Sequence, residues 1–244
     1  FVPAGAIENY KYDIAQVNSN ITAGAWRAPI TNFLASAEQS FFDELFELMQ
    51  VDPIKTRLNL LEKVKGTNDE SIEYSAERMQ KVIDKAVSVS GFGTKPNNEI
   101  HQGFSAYYCH NSHVAEVADV SIDKDGMPRV HKVVCVVDCG IVVNPTGAKN
   151  QVEGAVIDGI GHAMYSSLNF KNGEPSSINF DDYSLIRMKD APTVEVHFIE
   201  NEFAPTGLGE PALPPAGAAV ANAIYKAIGK RLYKQPYIAH FKQA

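Results

Sequence analysis

The chain has 244 residues, 45% of them hydrophobic and 21% charged, which excludes the disordered and collagen-like classes and allows a core that buries roughly 70–75% of the unfolded surface. Its 22 Lys plus Arg against 29 Asp plus Glu leave a net charge of -7, the wrong sign for binding nucleic acid or an anionic membrane through clustered cations. The longest apolar stretch, Val133 to Val143, is interrupted by Asp138 and falls short of the ~20 residues of a membrane-spanning helix, so no transmembrane segment is expected.

In chain order, Leu34, Ala37, Phe41, Leu45 and Leu48 recur at three and four, which predicts an amphipathic helix over 31–50 with Thr31 or Asn32 as its cap. Asp52-Pro53 starts a second helix, since Asp caps and Pro fits a first turn; it runs to about Lys63 and is broken at Gly66-Thr67-Asn68-Asp69. A third helix is predicted from about Ile72 to Ser88. The segment Ser90 to Asn98 is punctuated by Gly and Pro and marks a boundary between a helical segment, 1–95, and an α+β segment, 96–244, read as one continuous unit.

Beyond it, Ala115 to Ile122 alternates, Asp125-Gly126 supplies a turn and Val130 to Val137 is a β-branched run, together a hairpin. Asn144-Pro145-Thr146 ends the strand, and 147–168 reads as a helix rich in Gly and Ala that neighbouring backbone can approach closely. A turn at Asn172-Gly173, a strand over 193–199, a Gly/Pro-rich loop over 204–215 and a helix over 216–228 closed by Gly229 complete the chain. The fold class expected is α+β: a helical N-terminal third, then a mixed sheet with packed helices.

Three cysteines, Cys109, Cys135 and Cys139, are too few for a four-thiolate iron–sulfur or zinc site, so any such cluster belongs to another chain. Cys135 and Cys139, four apart along a strand, would be ~13 Å apart, beyond disulfide reach. The opening Phe1-Val2-Pro3 offers neither an initiator Met nor a signal segment and reads as part of something longer.

The most informative loop is Thr206-Gly207-Leu208-Gly209-Glu210-Pro211, which sets one carboxylate between a glycine that permits unusual backbone angles and a proline that fixes them. Glu210 is either a rigidly placed functional group or a carboxylate favouring a helix N-terminus. The spacing makes neither a phosphate-binding loop nor a dinucleotide fingerprint. Gln151, early in the Gly-rich helix, has an amide able to donate and accept, suited to a heteroaromatic cofactor or simply to satisfying the helix start. Trp26, the only Trp, precedes Arg27 in a Gly/Pro-punctuated loop; a packed Trp and a surface Arg are the plainer account. His110 and His113 could share a metal only on a helix, and their region reads as strand and turn. No serine or cysteine nucleophile motif occurs. A hydrolase pairing Glu210 with Asp181 or Asp182 remains an alternative.

Five motifs stand in order: GAWRAP at 24–29, VVCVVDCGIVVNP at 133–145, QVEGAVIDGIGHAMY at 151–165, NFDDYSLIRMKDAPTVEVHF at 179–198 and GLGEPALPPAGAAVANAIYKAIGKRL at 207–232. Together they resemble the C-terminal part of the molybdenum-binding subunit of the xanthine dehydrogenase and aldehyde oxidase family, and within it the isoquinoline 1-oxidoreductase beta-subunit type. The resemblance implies a molybdenum hydroxylase that oxidises an aldehyde or N-heterocycle with water as oxygen source, the metal being held by a pterin dithiolene and by no side chain of this chain.

By the same resemblance Glu210 would be the general base on the Mo-bound hydroxide and Gln151 would hydrogen-bond the pterin. Ala25, Trp26 and Arg27 would approach the Mo ligands from another side, with Gly209 in the cofactor-facing loop; Trp26 would also flank a flat substrate. Asn144 and Pro145 would shape the turn before the cofactor-facing helix or bind. The pterin form expected is a cytosine dinucleotide. The family's Gly-x-Gly-Gln loops are absent, so the chain needs the remaining part of the molybdenum subunit, and its electrons would pass to iron–sulfur clusters on a small partner subunit. A cofactor-free fragment acting only in assembly is the alternative. Relatives of this type are often exported, which favours periplasm over cytoplasm.

Overall fold

The computed structural model describes residues 4–9, 11, 13, 15, 17–67, 69, 70, 72–94 and 99–241. Phe1-Val2-Pro3, Asn68 of the first predicted break and Lys95 to Asn98 of the predicted boundary lie outside them. Three helices come first, α1 (Thr31–Leu48), α2 (Pro53–Val64) and α3 (Ala76–Ser90), followed by strands β1 (His101–Cys109), β2 (Ser112–Ile122) and β3 (Pro128–Asp138). Then come α4 (Pro145–Met164), a small hairpin of β4 (Phe170–Lys171) and β5 (Glu174–Pro175), β6 (Thr193–Phe198), α5 (Pro214–Ile228) and a short 3-10 turn, Tyr237–His240.

Local chemistry explains most boundaries. The Asp52 carboxylate accepts the Ile54 and Lys55 N–H groups, both at 2.9 Å, with Pro53 in the first turn of α2. Ser75 caps α3 through the Arg78 N–H, so this helix starts at Ala76 rather than at Ile72. Asn144 accepts the Gly147 N–H at 3.0 Å and caps α4. The strand before it already ends at Asp138, and α4 stops at Met164, short of the predicted 168. Neither Thr31 nor Asn32 caps α1: the cap position is Ile30, at φ 68° with no side-chain bond. The Asn32 amide instead donates back to the Arg27 carbonyl at 3.0 Å.

The main sheet is mixed, in the order β1-β2-β3-β6, with β1, β2 and β3 antiparallel in turn and β6 parallel to β3 after the α4 crossover. Both faces are covered. Val114, Val133, Cys135 and Val137 pack against Val152, Val156 and Ile160 of α4 and Val220 and Ile224 of α5. The alternate residues Val117, Val134 and Val136, with Phe104, pack against Leu61 of α2 and Met79, Val82 and Ile83 of α3. Burial on both sides is why the β3 run is continuously apolar. The three cysteines are buried and free; β3 ends before Cys139, so only Cys135 lies in the strand.

Two polar groups are enclosed. Glu116 stands opposite Cys135 and accepts from its Sγ at 3.4 Å, and burial pushes this carboxyl well above the usual range. His113, 1% exposed, accepts the Ser75 N–H at Nε2, 3.0 Å away, tying the start of α3 to β2. Burial, then the nearby Arg78 charge, lowers the His113 pKa to about 4, against the opposing pull of Asp138.

His113 is therefore neutral when folded and titrates near 6.5 when unfolded. Its contribution is whole above that value and is lost as pH falls toward about 4, a loss of about 3 kcal/mol. Urea unfolding at pH 7 and pH 4.5 should show the stability of His113→Gln falling less between the two pH values than that of the parent. Parallel losses would remove His113 from the acid sensitivity.

Candidate functional site

The carboxyl ends of β1, β3 and β6 and the start of β2 lie at one end of the sheet, as the pairs Cys109–Ser112, His113–Asp138 and Val137–Phe198 require. The loops that leave this end are laced together. The Thr206 N–H donates to the Cys139 carbonyl at 2.9 Å, the Ile141 N–H to Phe203 O at 3.0 Å and the Gly207 N–H to His110 O at 3.1 Å. Ser112 Oγ donates to the Gly207 carbonyl and lies 2.7 Å from Thr206 Oγ1. Asp138 accepts from Arg78 at 2.6 and 3.0 Å and from Asn201 at 2.8 Å. Burial would raise this carboxyl, but the bonds from Arg78 and the Gly140 N–H outweigh it and hold it low.

On this platform Glu210 has both oxygens engaged. Oε1 accepts the Ala28 N–H at 3.3 Å, and Oε2 lies 3.0 Å from Nδ1 of His110. Neither oxygen bonds an N–H of α5, so the carboxylate is not a helix cap. Arg27 is no free surface cation: Nε donates to the Gly209 carbonyl at 2.7 Å and Nη2 to the same oxygen, to Gln151 O at 3.1 Å and to Gln151 Oε1 at 3.4 Å. Its Nη1 is 3.8 Å from Asp158, whose other oxygen faces His162 at 3.2 Å. Trp26 rests edge-on against the His162 ring, centroids 3.7 Å apart. Gln151, Asp158 and His162 thus follow one stripe of α4, at the spacing that stacks side chains on a helix face.

Among the six residues singled out from sequence, the structure joins Arg27, Gln151 and Gly209 directly, reaches Glu210 through Ala28, and sets Trp26 on the same helix; Ala25 is exposed and makes none of these bonds. Asp181 and Asp182 are exposed and do not bond Glu210. Sequence reasoning missed His110 except as a metal ligand. The available signal was His110-Asn111 between two strand-like runs, and both residues take positive φ, 50° and 60°, in the two-residue β1–β2 turn. His113 points into the core instead. Among the described residues no group of three or more His, Cys, Asp or Glu could hold a metal ion, and no helix is long and apolar enough to cross a membrane.

The donor set fits a flat, heteroatom-rich cofactor. Gln151 is exposed, and among the described residues its Nε2 has no hydrogen-bond partner, leaving an amide donor free. Beside it Gly209 offers no side chain; a Cβ there would sit 3.4 Å from Gln151 Oε1. Cys109, which lies 3.9 Å from the Pro211 carbonyl, has its thiol pushed up to about 12 by burial and by the Glu210 charge, so it is no nucleophile.

The family model of a molybdopterin cofactor-binding domain matches residues 35–192. The chain is 30% identical over 207 residues to the membrane-bound aldehyde dehydrogenase [pyrroloquinoline-quinone] of Gluconacetobacter polyoxogenes, covering 81% of this chain and 27% of that protein. It is 26% identical over 201 residues to isoquinoline 1-oxidoreductase subunit beta of Brevundimonas diminuta, covering 82% and 25%. Thus the chain spans about a quarter of the length of these relatives. The aldehyde oxidoreductase of Desulfovibrio gigas shares the fold at a TM-score of 0.68 over 87% of this chain and 40% of that one, with 13% identity.

Replacing Arg27 by Ala should strand the Gly209 and Gln151 carbonyls and release the 24–30 loop, costing about 1–3 kcal/mol. Amide hydrogen exchange should quicken at 24–30 and 207–210 while β2 and β3 stay protected. Arg27→Lys should not restore protection, because a point charge cannot serve two carbonyls as a fork does. Unchanged exchange in Arg27→Ala would show that the loop is held otherwise.

Proposed function

This chain belongs to the molybdopterin cofactor-binding domain family, and on that premise we propose that it is the part of a molybdenum hydroxylase subunit that supplies Glu210 as proton acceptor in the oxidation of an aldehyde or N-heterocycle. The observation that carries the reading is the convergence of the Trp26–Ala28 loop, α4 and the Gly207–Glu210 loop on the Arg27 guanidinium, next to which the Ala28 N–H and the His110 ring meet the two oxygens of Glu210. The aldehyde and isoquinoline in the relatives' names support the substrate class. The quinone in the first name belongs to that protein; the pterin reading here rests on the family and on the free Gln151 amide.

When bound, the molybdenum-pterin cofactor supplies a two-electron oxidation whose oxygen comes from water. Gln151 would hold the pterin through Nε2, and Arg27 keeps Gln151 and Gly209 at fixed separation. Glu210 takes the proton from the oxygen nucleophile; because its loop is already fixed, little reorganisation is needed when the proton moves. Trp26 would present its face to a flat substrate. The cofactor form proposed is the cytosine dinucleotide. Electrons would leave to iron–sulfur clusters on a small partner subunit, since the cysteines here are three and buried, and the rest of the molybdenum subunit would complete the site.

A second reading, a cofactor-free piece acting only in assembly, is favoured by the exposed apolar side chains Ile178, Phe180 and Met188, 87%, 88% and 95% accessible, an unusual surface for a finished protein. Elemental mass spectrometry separates the two. About one Mo per chain when produced with the complementary part of the subunit supports the hydroxylase, and none supports the assembly piece.

In the assembled enzyme, Glu210→Gln should lower kcat by about 10²–10⁴-fold with Mo content unchanged, as it keeps shape and removes the base. Full turnover would exclude Glu210 from the reaction. Gln151→Ala should lower Mo occupancy while shifting stability by no more than about 0.5 kcal/mol, the usual range for an exposed side chain. Equal occupancy would leave Gln151 as a helix-start residue only.

A further inference from the structure

We propose that His110, at the tip of the β1–β2 hairpin, is a positioning residue for Glu210: its Nδ1 closes on Oε2, so the carboxylate is confined by a side chain on one side and bonded by the Ala28 backbone on the other. This rests on the reading of Glu210 as the proton acceptor and adds to it the group that sets its direction.

Three observations carry the inference. First, Nδ1 and Oε2 are 3.0 Å apart, and the tautomer that donates there leaves Nε2 as acceptor. That atom is buried and has no hydrogen-bond partner among the described residues, so the contact with Glu210 is the one the imidazole makes through its ring nitrogens there. Second, the imidazole is placed by backbone. His110 has φ 50° and Asn111 φ 60°, the two left-handed residues of a tight hairpin turn, a region in which His and Asn are the side chains found more often than most. Third, hairpin tip and loop are in register. The Gly207 N–H donates to the His110 carbonyl at 3.1 Å, and a Cβ on Gly207 would stand 2.6 Å from that oxygen and 2.8 Å from the His110 Cβ. Only a glycine lets the loop press this closely on the turn, three residues ahead of Glu210. A carboxylate bonded by Ala28 alone could swing about that single bond; the imidazole 3.0 Å from its other oxygen removes the freedom.

The turn also supplies a clean test. Glycine at 110 satisfies the positive φ without a donor. Asparagine tolerates the same φ and carries Nδ2 at the same bond count from the backbone as histidine Nδ1. In the enzyme assembled with its complementary subunit part, His110→Gly should lower kcat about 10–100-fold, the effect of a misaligned reacting group, with KM within about twofold and Mo content equal to the parent. His110→Asn should recover to within about threefold. Crystal structures of both variants supply the readout independent of turnover: the Glu210 carboxylate keeps its place in His110→Asn and leaves it in His110→Gly.

Full kcat in His110→Gly, an unmoved Glu210 in its structure, or His110→Asn no faster than His110→Gly would each overturn the proposal. Glu210→Gln measured alongside keeps the two claims apart. A slow Glu210→Gln with a fast His110→Gly overturns only the positioning role, whereas a fast Glu210→Gln overturns the reading of the carboxylate itself.

Discussion

The guanidinium of Arg27 holds together segments that the chain keeps 124 and 182 residues apart. Two of its nitrogens are spent on the carbonyls of Gly209 and Gln151 and the third faces Asp158. Hydrogen bonds from a charged donor are about twice as strong as neutral ones, and the planar fork fixes direction as well as distance. The consequence reaches beyond the three partners. Ala28, the next residue, donates to Glu210, while the Arg27 carbonyl accepts from Asn32 at the start of α1. The loop is therefore tied on one side to the N-terminal helix and on the other to the Gly207–Glu210 loop.

Such a clamp works only if its anchors do not drift, and close packing of small residues provides this. Helix α5 is buried on nearly every side. Against the sheet it lies so near β1 that a Cβ on Gly103 would overlap the backbone of Ala219 and Ala223. Against α4, a Cβ on Gly159 would stand 2.5 Å from the Leu213 carbonyl. The Gly/Ala richness of these two helices is thus a requirement of distance, and a helix apolar all round is the expected form for a fully enclosed element. The loop carrying Glu210 enters this immobile helix directly, with the Leu213 N–H already bonded to the Glu210 carbonyl at 2.9 Å.

How much was legible in sequence follows from the range of each interaction. Asp52-Pro53, Asn144-Pro145 and Gly229 act on their own next turn, and the helices they bound are found within a few residues of expectation. The unbroken run in β3 encodes burial on both faces; β2 alternates in sequence yet is buried on both faces too, because Glu116 and Ser112 are enclosed with its apolar residues. The α1 cap was not legible: Thr31 and Asn32 look like caps, but Asn32 is drawn to the Arg27 carbonyl and Ile30 takes the cap position at positive φ. His110 failed to register for the same reason. The strand-like runs on either side of His110-Asn111 mark a turn, but the histidine's partner Glu210 lies a hundred residues away, where no local pattern reaches. The bond network among Arg27, Gln151 and Gly209 was likewise invisible to periodicity; the resemblance of the motifs singled out these residues as cofactor-facing but not the bonds among them.

Ionisable groups enclosed by the sheet differ from those packed around it, where Arg57 is a buried cation over the Phe46 and Phe104 rings. Within the sheet, Glu116 is pushed up and His113 pushed down, each toward its uncharged form, and burial raises the Cys135 thiol as well. Ion pairs stand at the end where β1, β3 and β6 finish, Arg78 with Asp138 and Arg27 with Asp158, and also away from it, Arg231 with Asp43 and Lys132 with Glu195. Cys109 sits where β1 ends, and the Glu210 charge there adds to burial in keeping its thiol protonated. A thiolate is thereby excluded at the one place where a cysteine stands near the carboxylate. The reactive groups left at this end are oxygen and nitrogen, held by loops whose backbone is already bonded. The covered sheet supplies rigidity to the end at which β1, β3 and β6 finish, and the loops that carry Arg27, Gly209 and Glu210 are bonded to one another there.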